Sequence, residues 1–137
     1  MTAPLIFRSG AILSHYYMLT LAHPAAIGIS SGAFGSHGLR NISPPLTERQ
    51  ISSFSTASSY LIYNGLALLA ISYHPGFAVG SATRRYKFAA GMIVGGAVAF
   101  SGSIFALVLG RDRFKSLGPV TPLGGVAMIA GYLALAL

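Results

Sequence analysis

The sequence predicts an all-α integral membrane protein, an up-down bundle of four helices joined by short loops. Three observations carry that reading. Only 8% of the 137 residues are charged and 53% are hydrophobic, whereas soluble domains carry about 25% charge. A domain of this size still exposes about a third of its chain surface, so that much apolar surface cannot all hide from water. Finally, the apolar residues fall in continuous runs of about 20, the length that crosses a bilayer as a helix, and the absence of alternation rules out a β-barrel.

Residues 1 to about 17 read as an interfacial tail. Pro4, Arg8, His15 and two tyrosines interrupt the segment, and its apolar stretch is too short to span. Arg8 breaks the apolar region a signal peptide would need. Organelle targeting is the alternative, since the segment holds Arg and Ser but no acid. The first span is expected at about 18–39. It carries no formal charge, but includes His23, Pro24 and Gly28, Gly32, Gly35 and Gly38. Membrane helices tolerate Gly and Pro when neighbours satisfy the backbone, and a kink is expected at Pro24.

A hydrophilic stretch follows, with Pro44, Pro45, Glu48 and Arg49. Thr47 and Gln50 stand in capping-box register, placing a helix start ahead of the second span at about 53–73. His74-Pro75-Gly76 stops it. Arg84, Arg85, Tyr86 and Lys87 then mark a membrane–water boundary, and the third span, about 88–109, has no charge at all. Arg111 to Lys115 form a polar turn. The fourth span, about 117–137, holds Pro119 and Pro122 in its first turns, where a missing N–H costs little. Loops this short make neighbouring helices antiparallel, with both termini on one side. The nine Lys and Arg residues divide almost evenly between the two sides, so the positive-inside rule does not set the orientation.

In lipid, helices associate through small residues that let backbones approach. Gly28, Gly32 and Ser36 form one stripe at four-residue spacing. Gly91, Gly95, Ala99 and Ser103 form a second, and Ala127, Gly131 and Leu135 a third. Spacing of four puts each set on one helix face. They read as packing seams within the bundle, with homo-oligomer contacts as the alternative, and Gly95→Leu is expected to push two helices apart.

Polar groups within the spans are costly unless partnered. His37, Tyr60, Asn64, Ser101 and Ser103 are the candidate polar intramembrane positions. One reading gathers them into a small chamber with His37 as a titrating or ligand-contacting group. The other leaves His37 at the interface and gives Asn64 an interhelical hydrogen bond; the second is favoured. Catalytic constellations are not evident. Glu48 and Asp112, the two carboxylates, lie in expected loops, the four histidines lack metal-ligand spacing, and cysteine is absent. Neither enzyme activity, nor a cofactor, nor a metal is expected. The basic residues lie in small groups between apolar runs, which suits anionic lipid headgroups rather than nucleic acid.

Three strings occur in order: Gly32-Ala33-Phe34-Gly35-Ser36-His37-Gly38-Leu39, Phe100-Ser101-Gly102-Ser103, and Leu117-Gly118-Pro119-Val120-Thr121-Pro122-Leu123-Gly124-Gly125. With the closing Ala130–Leu137 run, they resemble the family called domain of unknown function 423, which includes transmembrane protein 256. The resemblance covers about residue 20 to the end. It implies a small multi-span membrane protein of bacterial or eukaryotic, often mitochondrial, membranes, without an established molecular activity. Where the family has a Tyr-Gln pair followed by a His, this chain has Tyr60, then Leu61 and Asn64. Any polar or metal-like site joining that histidine to the one matching His37 is altered here. The packing glycines, Gly124 and Gly125 among them, are retained. The expected role is a structural or accessory component of a membrane or membrane complex. The implied partners are the bilayer and other membrane subunits or a second copy of the chain. The alternative is a small transporter or channel-like protein for a neutral or weakly polar solute.

Overall fold

The hydrophilic stretch after residue 40 turns helical where its side chains can satisfy the free amides of a helix start. In the computed structural model, which describes residues 23–73 and 83–137, the Gln50 N–H donates to Thr47 Oγ1 at 3.3 Å and the Thr47 N–H donates to Gln50 Oε1 at 2.9 Å. This is the capping box the sequence announces, and it starts helix α2 (Glu48–Ser72). The helix thus begins ahead of the expected span, with its first turn outside the apolar run. It ends at Tyr73; the stop at 74–76 lies outside the described residues.

Before it stands α1, helical over residues 23–37 and followed by a single 3₁₀ turn, Leu39–Asn41. The expected tail, the beginning of the first span and the region where Pro24 would kink the chain lie wholly or partly outside the described residues. Helix α3 (Thr83–Gly110) is longer than the expected 88–109. Arg84, Arg85 and Lys87 therefore occupy helical turns rather than a loop. Long basic side chains can hold a helix at the boundary while their charged heads reach water. The polar turn at 111–117 is a 3₁₀ segment (Arg111–Leu117), kinked at Phe114 with φ −116° and ψ 22°. Helix α4 (Val120–Ala136) follows.

Three long apolar helical stretches have the length and composition to cross a membrane: Glu48–Ser72, Arg84–Gly110 and Arg113–Ala136, with mean hydropathies of 1.3, 2.2 and 1.5. Their outward faces are apolar too. On α4, Leu123, Val126, Ile129 and Leu133 are each at least 60% exposed. In water such a surface would drive aggregation; in hydrocarbon it is the solvated face. The fold is an all-α membrane bundle.

Side-chain pairings give the topology. Ser101 meets Ala57, and Leu68 packs with Ala90 and Ile93, so α2 and α3 run antiparallel. Gly96 faces Gly124 and Met128 while Gly131 faces Ala89 and Ile93, so α3 and α4 do too. Gly28 meets Ser58 and Ile62, whereas Gly35 meets Phe54, which sets α1 antiparallel to α2. One end of the bundle is closed by Leu39, which is fully buried and packs with Phe54 and Val108.

Candidate functional site

Of the buried polar side chains, Ser58, Asn64, Ser101 and Ser103 are tied across helix pairs, while Ser72 donates to the Leu69 carbonyl of its own helix. On α2, Asn64 is buried mid-helix. Its Nδ2 donates to the Tyr60 carbonyl at 2.7 Å, and its Oδ1 accepts from the Tyr132 hydroxyl of α4 at 2.9 Å. The Tyr60 ring lies 4.9 Å from that of Phe100 on α3. Ser101, fully buried, donates from α3 to the Ala57 carbonyl of α2 at 2.8 Å. Ser103 donates to the Phe100 carbonyl and shares a 2.6 Å hydroxyl contact with Thr121 of α4. Ser31 of α1 and Ser58 of α2 share another at 3.1 Å. Among the described residues, no buried side-chain nitrogen or oxygen is left without a hydrogen-bond partner. In a low-dielectric interior each such bond removes a desolvation cost that would otherwise open the bundle.

His37 does not join them. It is exposed at the end of α1, where its carbonyl accepts from Asn41 Nδ2 at 3.2 Å. Because Gly35 packs on Phe54 and residue 25 packs on Gly65, His37 stands beside the N-terminal end of α2, well away from Asn64 in its middle. The chamber considered for these two residues therefore does not form. Tyr60, Asn64, Ser101 and Ser103 are brought to the helix interfaces, and His37 is not.

The glycine seams are only partly those the spacing picked out. A Cβ at Gly28 would lie 2.7 Å from the Ser58 carbonyl oxygen, one at Gly124 2.5 Å from the Phe100 nitrogen, and one at Gly131 2.7 Å from Ile93 Cγ1. At these three positions backbone meets backbone or core directly. Gly32 leaves an ordinary gap of 3.8 Å to Ser58, and Gly125 only grazes Phe100 at 4.0 Å. Gly91 and Gly95 overturn the expectation outright, since nothing lies within 4 Å of either. The buried face of α3 instead carries Ala89, Ile93, Gly96, Ala97 and Ser101. Gly95 and Gly96 are adjacent and thus about 100° apart around the helix, so one faces α4 and the other faces out. Gly95→Leu would not separate these helices. Two contacts escaped the sequence reading. Gly96 packs on Gly124 and Met128, and Gly65 sits so close to Ala25 that a Cβ would overlap its backbone.

With this geometry in hand, the chain can be set beside known proteins. A family model described as "Protein of unknown function (DUF423)" matches residues 31–125. The chain belongs to the DUF423 family. It is 37% identical over 111 residues to a UPF0382 membrane protein of Staphylococcus aureus, covering 81% of this chain and 84% of that one. It is 34% identical over 110 residues to a UPF0382 membrane protein of Schizosaccharomyces pombe, covering 77% of this chain and 86% of the relative. No solved structure matches it. The DUF423 match runs from Ser31 on α1 to Gly125 on α4, so it takes in the Ser31–Ser58, Ser101–Ala57 and Ser103–Thr121 contacts and the Gly96–Gly124 approach. The chain is a small multi-pass membrane protein, and the bilayer is its medium.

Proposed function

We propose that this DUF423 protein is a non-enzymatic structural or accessory component of a membrane complex. The observation that carries the reading is the hydrogen bonding of the interior. Asn64, Tyr132, Ser101, Ser103 and Thr121 are all engaged across helix interfaces. A catalytic or solute-carrying site needs polar groups aimed at an open space. Here they are aimed at the neighbouring helix, where they fix which faces meet. His37, the one ionisable group that the family motif places near the first span, is exposed at the bundle's end.

The test is recovery of the full chain from its native membrane in mild detergent, with mass spectrometry of what accompanies it. A reproducible membrane subunit, retained equally by the His37→Ala variant, is the expected result. Solute flux in liposomes that His37→Ala abolishes would overturn the reading in favour of transport, and turnover of any substrate by the purified protein would overturn the non-enzymatic assignment.

A further inference from the structure

We infer that the groove between α1, α2 and α3 holds one acyl chain of an anionic phospholipid, whose phosphate sits on the arginines at the groove's mouth. The inference goes beyond the structural role above and does not depend on it. The groove has a volume of about 530 Å³ and is walled by Ile27, Ser30 and Phe34 of α1, Phe54 of α2, and Phe105 and Leu109 of α3. Its length along α1, at about 1.5 Å per residue, is on the order of 10 Å. Its lining is almost wholly apolar, and Ile27, Phe34 and Leu109 are about half exposed. In a bilayer an open slot of this kind is filled by hydrocarbon, because a void forfeits dispersion contacts on one side.

Charge selects which lipid. The groove ends where Phe34, Phe54 and Leu109 approach the 3₁₀ turn carrying Leu39, which itself packs on Phe54. Arg40 follows Leu39 directly, Arg49 lies little more than a turn before Phe54 on α2, and Arg113 lies one turn beyond Leu109; all three are exposed. The sequence at this end holds Arg40, Arg49, Arg111, Arg113 and Lys115 against Glu48 and Asp112. The mouth is thus net positive at headgroup depth, and guanidinium groups match phosphate geometry. The opposite end carries Arg84, Arg85 and Lys87, without this groove beside them. That difference separates a bound lipid from general attraction to an anionic surface.

The experiment uses the full chain, delipidated in mild non-ionic detergent and titrated with phosphatidylglycerol or phosphatidylcholine, with bound lipid counted by native mass spectrometry. One phosphatidylglycerol per chain, bound in preference to phosphatidylcholine, is expected. Arg40→Gln, Arg49→Gln and Arg113→Gln should each weaken it about fivefold, from the roughly 1 kcal/mol per basic residue at a membrane surface. The Arg84→Gln/Arg85→Gln pair should leave it unchanged. Ser30→Phe, which puts a ring into the groove from an exposed position, should abolish the adduct while helicity stays that of the parent. Equal retention of the two lipids, equal loss in the Arg84/Arg85 variant, or an adduct indifferent to Ser30→Phe would each overturn the inference. So would a cross-linked dimer through Ile27 and Phe34 that excludes lipid.

Discussion

Gly124→Ala is the sharpest perturbation of the α3–α4 seam. The added Cβ would stand 2.5 Å from the Phe100 nitrogen, 2.8 Å from the Gly96 carbonyl oxygen and 2.9 Å from Phe100 Cα, where ordinary contact begins at 3.4 Å. All three neighbours are backbone, so no rotamer change relieves the overlap and the helices must part by about 0.9 Å. Overpacking of this kind costs about 1–3 kcal/mol. The same movement lengthens the 2.6 Å Ser103–Thr121 contact, which lies one turn away, and an interhelical bond in a membrane protein is worth about 0.6 kcal/mol. The expected loss is about 2–3 kcal/mol, or roughly 30- to 150-fold in the unfolding equilibrium. Gly95→Ala is the control, because a Cβ there meets nothing within 4 Å; it should be neutral or slightly stabilising, as alanine favours helix over glycine. Unfolding by sodium dodecyl sulfate in mixed micelles, followed by circular dichroism, measures both. Equal stability of the two variants would refute the assignment of the seam to Gly96 and Gly124.

Other expectations follow from the polar contacts and the helix ends. Tyr132→Phe leaves Asn64 Oδ1 without its donor and should cost about 0.6 kcal/mol, up to about 1.7; Asn64→Leu should be tolerated or stabilising. A double-mutant cycle on the pair should return a coupling of that size, and zero coupling would remove the bond from the account. Thr47→Ala deletes the capping box of α2 and should cost about 1 kcal/mol in the same unfolding assay, with Thr47→Ser retaining most of it. Gly91→Leu and Gly95→Leu should unfold within about 0.5 kcal/mol of the parent, while Gly96→Leu should fail to assemble α4 onto α3, read as protease sensitivity of the 3₁₀ turn at 111–117.

Much of the fold was legible because hydrocarbon imposes a length and forbids charge. The uncharged runs therefore marked α2, α3 and α4, and Thr47 with Gln50 marked the start of α2 through local chemistry. Facing was harder. A stripe at spacing four shows that Gly91 and Gly95 share a face, but not whether that face meets protein or lipid, since both surroundings are apolar. The signal that was available is the second stripe on α3, Ala89, Ile93, Gly96 and Phe100, whose larger members accompany glycine on the packed side. The interhelical bond of Asn64 was expected; its partner Tyr132 was not, because no local pattern links residues 68 positions apart. Leu39 was read as the end of a span, yet the 3₁₀ turn after Gly38 folds it onto Phe54 and Val108.

The up-down passage of α2, α3 and α4 through one bilayer is tested most directly by cysteine labelling, for which the cysteine-free parent is a silent background. Single cysteines at Ser43 and Ser116, both exposed, should react with an impermeant maleimide from one face of sealed vesicles. Those at Tyr73 and Leu137, 69% and 90% exposed, should react only from the other. Reaction of Ser43 and Ser116 positions from opposite faces, or of Tyr73 and Leu137 positions from opposite faces, would contradict the bundle described.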